Sequence, residues 1–267
     1  LTDKLTKPLR EMAEATKHYA KGDFSYRVKV KGDDELSALI RDFNSMAKAL
    51  DALESSRRNF VANVSHEFKT PMTTIGGFIN GILDGTIERD KQEYYLNIVS
   101  GEVRRLSKLV NTMLNISKIE TGNVELKYQS FDLTDMILSC VWGFEQITQQ
   151  RNITVTGMDN LESMQINADP DMINQVIYNL VDNAVKFTYD SGEISLTCAQ
   201  TSSDVFFTIR NTGKGIPPDE TEKIFERFYK IDKSRSTDVK SVGLGLHIVK
   251  SIVELHNGTI SVSSVEN

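Results

Sequence analysis

Val64-Ser65-His66-Glu67-Phe68-Lys69-Thr70-Pro71 lies inside a long run whose apolar residues keep a helical period, and that setting decides how the chain is read. Upstream, Leu36, Leu39, Phe43, Met46, Leu50 and Leu53 alternate steps of three and four, the spacing of a coiled-coil seam. Phe60, Val64, Phe68, Met72, Ile75, Ile79 and Ile82 resume the pattern after a change of register near Arg57. That arginine takes a position expected to be apolar, so the shift reads either as a relay of helix packing or as a plain linker kink. The pattern breaks at Gly85, and Tyr95, Val99, Val103, Leu106, Val110 and Met113 mark a second helix. Two helices joined by a short turn make a hairpin, which becomes a four-helix bundle when two copies pair.

Val64 and Phe68 point into such a bundle. His66 stands two residues from each, roughly 200° of helix rotation away, and therefore faces solvent. An exposed imidazole is a free nucleophile, Glu67 can accept its ring proton, and Thr70 shares its face one turn on. Pro71 removes a backbone donor and is expected to bend the helix just past the histidine. A single surface histidine with chance neighbours would carry no such weight; the whole string does.

The rest of the sequence sets bounds. With 267 residues, 39% hydrophobic and 25% charged, several soluble units are expected. A formal charge of -6 leaves no basic excess for a phosphate backbone, which argues against a nucleic-acid partner. Cys140 and Cys198 show no metal-ligand spacing and read as small core residues of a reduced compartment. There is no run of about twenty apolar residues and no signal peptide. The sequence begins at Leu1 without methionine and ends at Asn267 after a strand-like stretch, as an excised fragment would. Leu1 to Ala20 forms an amphipathic helix, followed by Gly22-Asp23-Phe24 and an extended connector, Tyr26 to Val30. After Thr121-Gly122 the texture changes to strands such as Ile194 to Thr197 and Val205 to Ile209 with helices between them, an α+β pattern.

Within that second region Asp169-Pro170 is a helix start, a capping carboxylate followed by proline at the first helical position. Asn179, Asn183 and Lys186 then repeat at four and three on one face, opposite Val176, Leu180 and Ala184. Such a face can simply be solvated. Given a ligand, asparagine carbonyls suit Mg²⁺ and the lysine suits the phosphates that the metal bridges. Two glycine segments strengthen the second reading. Asn211-Thr212-Gly213-Lys214-Gly215-Ile216-Pro217 follows a strand, and Gly243-Leu244-Gly245-Leu246 opens the helix His247 to Leu255. Glycines at a helix N-terminus let backbone donors approach anionic oxygens. Between them, Ile224-Phe225-Glu226-Arg227-Phe228-Tyr229 leads into a segment with Lys230, Lys233 and Arg235, read as a mobile lid whose Phe225 and Phe228 act by packing.

The string around His66 closely resembles the H box of sensor histidine kinases, with Phe68 and Lys69 where that family often has leucine and arginine. The downstream segments resemble the N box, two glycine boxes and F box of the same family's ATP-binding domain, a nucleotide fold shared with gyrase-type ATPases. Pro8 to Leu53, with Gly22 and Glu35, looks like a HAMP signal-relay domain, so the resemblance covers nearly the whole chain. It implies a multidomain protein: HAMP over residues 1–54, a four-helix-bundle dimerisation and phosphotransfer hairpin over 55–122, and an α/β-sandwich, Bergerat-type ATP domain over 123–267, cut short at its C-terminus and tethered near Gly122. His66 would be the phosphate acceptor, Glu67 the base, and Thr70 the residue that positions water for dephosphorylation. ATP with Mg²⁺ would meet Asn179, Asn183, Lys186, Phe187, Asn211, Gly213, Gly215, Ile216, Phe225, Arg235, Gly243, Leu244, Gly245 and Leu246, the metal being held by Asn183 with help from Asn179. The expected partners are a second copy of the chain and a response-regulator receiver domain. The expected setting is the cytoplasmic part of a bacterial membrane protein whose membrane segments are absent from this sequence.

Two departures bear on the nucleotide. Asn211 stands where the family has the aspartate that reads the adenine amine; its side-chain oxygen still accepts that bond, without the charge. Ser241 and Val242 replace the usual glycine and threonine. Two rival functions follow. A gyrase-like ATPase would need glutamate where Asn179 stands, because an amide is a very poor base. A pseudokinase relay would bind nucleotide without phosphoryl transfer, and Asn211 gives it footing.

Overall fold

The structure, a computed structural model, describes residues 2–30, 32–121, 125–202, 204–231 and 243–265. The chain forms two compact units, Leu1–Thr70 and Pro71–Asn267.

In the first unit helix α1 (Thr2–Tyr19) leads through an extended connector to helix α2 (Glu35–Leu83). Asp34 starts α2, accepting from the Ser37 amide at 2.9 Å and the Ser37 hydroxyl at 2.8 Å, and so satisfies donors that a helix start leaves without carbonyl partners. Asn44 holds the connector as a neighbouring strand would. Its Nδ2 donates to the Val28 carbonyl at 2.8 Å, and its Oδ1 accepts from the Val28 amide at 3.0 Å. Around this clamp Ala15, Val28 and Ile40 are buried with Met12, Tyr19, Leu36 and Phe43 packed on them.

The packed stripe within the chain is therefore Leu36, Ile40, Phe43 and Ala47, which differs from the seam read from spacing. The reason is that α1 and the connector cover one flank of that seam. Leu39, Met46 and Leu53 remain exposed on the other. Helix α2 continues unbroken through the register change, where Arg57 points to solvent and pairs with Glu54 at 3.7 Å.

The second unit opens within α2, turns, and continues into α3 (Gln92–Glu120). Asp84 accepts from the Thr86 amide at 2.9 Å and the Ile87 amide reaches the Gly81 carbonyl at 2.7 Å, closing the turn. The rings of Phe78 and Tyr95 meet across the hairpin at 4.8 Å. Then come β1 (Gln129–Asp132), α4 (Leu133–Trp142), α5 (Glu145–Gln150), β2 (Thr154–Thr156), β3 (Gln165–Ala168), α6 (Pro170–Phe187), β4 (Glu193–Gln200), β5 (Val205–Asn211) and α7 (Gly245–Leu255).

Strand β4 pairs parallel with β2 and antiparallel with β5, while β1 pairs antiparallel with β3. Along β4, Ile194 and Leu196 are buried while Thr197 and Ala199 are exposed, the alternation of a sheet covered on one face. Helices form the second layer. Leu133, Ile137 and Val141 of α4 and Ile177, Val181, Ala184 and Val185 of α6 meet Ile194 and Leu196 in one core. The apolar face of α6 is thus wider than the three-residue stripe read from the sequence, and Leu180 is only half-buried. Burial pushes the Cys140 thiol up to about 11, with nearby Asp182 adding to the effect. That fits an unreactive packing role for the cysteine.

Ile137 has no exposed surface. Replacing it by alanine should lower the unfolding free energy by about 2–5 kcal/mol, whereas Ile147→Ala on the exposed side of α5 should cost less than about 1 kcal/mol. Denaturant titration followed through Trp142, the single tryptophan, reads both.

Candidate functional site

His66 is exposed on α2, while Val64, Glu67 and Phe68 beside it are half-buried, as helix rotation requires. The Thr70 hydroxyl donates to the His66 carbonyl at 3.3 Å, both residues being exposed and one turn apart on the same helix. Pro71 is fully buried and lies within the same helix.

The asparagine face is fixed from both ends of α6. At the start, the Asp169 side chain accepts from the Met172 amide at 3.2 Å and the Lys127 amide at 2.9 Å, with Pro170 at the first helical position. At the far end Arg151 donates to the carbonyls of Val185, at 2.6 Å, and Thr188, and is itself held by Asp190 at 2.7 Å. Arg151 escaped the sequence reading because its partners lie far along the chain. Asp182, which pairs with Lys186, also escaped it, although the spacing of four was legible. Lys186 is therefore tied one turn back along its own helix. Phe187 is exposed, at 52%.

Asn179 donates through Nδ2 to the Gln175 carbonyl at 2.8 Å, which leaves its Oδ1 facing the start of α7. There Gly245 packs so closely that a Cβ would stand 3.2 Å from that oxygen and 3.8 Å from the Asn183 Nδ2. The second glycine segment and the asparagine helix therefore form one site. The N-cap of α7 is Leu244, which is buried and makes no side-chain cap hydrogen bond, so the start of the helix lacks the side-chain acceptor that Asp169 supplies to α6. Leu246 is half-buried.

The first glycine segment joins the other end of α6. The Tyr189 amide donates to the Thr212 carbonyl at 3.0 Å, and Gly213 lies against the Phe187 carbonyl. Asn211, the last residue of β5, is exposed beside this junction. Gly215 has a φ of +79°, and the Ile216 amide is taken by the Ser264 hydroxyl at 2.9 Å. Phe225 is half-buried beneath the Lys250 ammonium at 5.9 Å, and Phe228 is buried. Arg235, with Lys233, Ser241, Val242 and the tether at Gly122, lies outside the described residues.

This donor set fits a nucleotide carrying its own metal. Among the described residues no three carboxylate, histidine or cysteine groups converge to hold an ion unaided. The Asn179 oxygen beside a helix N-terminus suits an ion delivered on phosphates. Asn179 also borders a cleft of about 510 Å³ between α6 and α3, with Asn174, Gln175, Lys108 and Asn111 on its walls.

Residues 168–267 match the family described as Histidine kinase-, DNA gyrase B-, and HSP90-like ATPase. Residues 56–122 match the His Kinase A (phospho-acceptor) domain, and residues 1–52 the HAMP domain. The chain is similar to the sensor histidine kinase YclK of Bacillus subtilis (strain 168), 35% identical over 97% of this chain and 56% of the relative. It thus spans little more than half of that relative's length. Among solved structures, the Acinetobacter baumannii histidine kinase AdeS shares 26% identity at a TM-score of 0.59, over 71% of this chain and 86% of that one. The histidine kinase ThkA, solved in complex with the response regulator protein TrrA, shares 30% identity at a TM-score of 0.58, over 75% of this chain and 55% of that one.

Replacing Gly245 by valine drives a branched side chain onto the Asn179 oxygen at the mouth of the site. Calorimetric titration with Mg²⁺ and ATP should show binding lost, while the thermal midpoint of the free protein changes little.

Proposed function

The chain belongs to the sensor histidine kinases of two-component systems, and from that premise we propose that it phosphorylates His66 from ATP and passes the phosphoryl group to an aspartate of a response-regulator receiver domain. The observation that carries the proposal is the amide at position 179 facing the start of α7. An amide cannot deprotonate water, so bound ATP waits for another nucleophile, and exposed His66 is one. The ThkA relative, solved with a response regulator, supports a receiver domain as the next acceptor.

Asn183, helped by Asn179, would hold Mg²⁺, which would offset the charge that builds on the transferred group. Asn183 presents its amide nitrogen toward Gly245, and a half-turn of its last torsion presents the oxygen instead. The amides of the Gly243 to Gly245 turn receive phosphate oxygens, and Lys186 exchanges its Asp182 partner for them. Asn211 accepts from the adenine amine, beside Phe187, Gly213, Gly215 and Ile216. Phe225, Leu244 and Leu246 support the walls, and Arg235 belongs to the same set. The His66 imidazole attacks the γ-phosphorus in line, the bond to the bridging oxygen breaks, ADP leaves, and Glu67 takes the ring proton. Thr70 orients the water that later hydrolyses the regulator's phosphoaspartate.

Homodimerisation is supported by Leu39, Met46 and Leu53, which one chain leaves exposed along the seam. We take residues 1–54, 55–122 and 123–267 as the relay, phosphotransfer and ATP-binding parts. No helix among the described residues is long and apolar enough to cross a membrane, and we place this portion on the cytoplasmic side of a bacterial membrane protein, joined to the bilayer by segments outside this sequence.

Incubation with γ-labelled ATP and Mg²⁺ should give protein-bound phosphate that is labile to acid, stable to base and absent from His66→Gln. ATP binding without label would instead identify a nucleotide-binding relay, the outcome to which Asn211 gives footing, and free phosphate released equally by both proteins would identify an ATPase. Thr70→Ala should label as the parent does while clearing phosphate from a phosphorylated receiver domain at least about tenfold more slowly; equal loss of both activities would refute this division of labour.

A further inference from the structure

His247 belongs to none of the groups given a role above. It sits in the first turn of α7, two residues past Gly245, half-buried beside the short turn Lys223–Phe225. Its Nδ1 lies 3.1 Å from the Phe225 carbonyl oxygen, and the Arg227 Nε donates to its Nε2 at 3.2 Å. A carbonyl only accepts and a guanidinium only donates, so the pair selects one form of the ring, protonated on Nδ1 and bare on Nε2. A second attachment runs alongside. The Phe228 amide donates to the Gly243 carbonyl at 2.8 Å, with Phe228 itself at a φ of +60°. Gly243 has a φ of +76°, and a Cβ there would stand 2.8 Å from the Tyr229 carbonyl oxygen, so only glycine lets the two stretches run this close. Phe225 to Tyr229 and the start of α7 are thereby one assembly, and that start carries Gly245 against Asn179.

On the nucleotide reading given above, we propose that His247 is a positioning residue of the ATP site: by gripping Phe225 and Arg227 together it sets where the first turn of α7 presents its backbone amides to the phosphates. The ring acts through its neighbours and not by touching the nucleotide. Burial is the main force holding it below the ordinary histidine value; the Phe225 carbonyl pulls upward, Arg227 and Lys250 push further down, and Glu254 opposes them. A protonated ring would turn an N–H toward the Arg227 guanidinium. The grip is therefore complete above the ordinary histidine range and is lost as pH falls through the lowered value.

Titration calorimetry of the 267-residue chain with Mg²⁺ and the non-hydrolysable ATP analogue AMPPNP, across wild type, His247→Leu and His247→Gln, tests this. Leucine fills similar space without either bond and should weaken binding about tenfold, with the nucleotide-free thermal midpoint nearly unchanged. Glutamine, which still accepts from Arg227 and donates to Phe225, should recover most of the affinity. The ratio of wild-type to glutamine-variant affinity, in which the titration of the nucleotide cancels, should be level from neutral pH upward and fall in acid. Unchanged affinity in His247→Leu, a glutamine variant as weak as leucine, or a parallel fall of affinity and thermal midpoint in both variants would overturn the proposal and leave the nucleotide reading standing. A wild-type chain that does not bind the analogue removes both.

Discussion

The crossing of α6 and α7 at Asn179 and Gly245 is the contact on which the proposed nucleotide site depends. Neither helix has an approach that close unless both are held from outside. Helix α6 is anchored at its start by Asp169, at its end by Arg151, and along its length by the core shared with α4 and β4. Helix α7 is anchored by Ile248, Val249 and Ile252, all buried. The absence of one methyl group at Gly245 then brings the Asn179 side-chain oxygen up against the start of α7. Interiors packed to crystal-like density make such a junction stiff, so the geometry of the site is set by the packing of the whole second layer.

Three of the four histidines of this chain serve two different purposes, and their surroundings decide which. His66 is exposed on one turn of a long helix, where its ring can reach an outside reactant. His247 and His256 stand at the two ends of α7, each between a donor and an acceptor. The Asp169 amide donates to the Nε2 of His256 at 3.2 Å, and its Nδ1 lies 2.8 Å from the Ile252 carbonyl. A neutral imidazole suits these places because one rigid ring offers a donor and an acceptor at once. Through His256, the cap of α6 and the end of α7 are fastened together, and the Lys127 amide brings the chain entering the ATP-binding region to the same carboxylate.

Local rules made much of this legible from the residues. The seam spacing marked α2, the break at Gly85 marked the hairpin turn, and Asp169-Pro170 marked the start of α6, because caps, periods and turns depend on neighbours a few positions away. The two glycine segments and the asparagine triple were legible as separate motifs, and Asn179 with Gly245 shows why they belong together. What was not legible depends on residues that only folding brings side by side: Arg151 on the end of α6, Asn44 on Val28, and His247 between Phe225 and Arg227. The stripe Leu36, Ile40, Phe43 and Ala47 was hidden for a related reason, since spacing gives the period of an apolar face but not which flank α1 will cover.

The clamp between Asn44 and Val28 has a mechanical sense. Its two hydrogen bonds fasten the connector to one rung of α2, and His66 lies on that same uninterrupted helix about six turns, or roughly 33 Å, further along. Because the clamp and the imidazole share one continuous helix, a turn of that helix about its own axis at Asn44 would swing the compass bearing of the imidazole with it, as an axle carries its spokes.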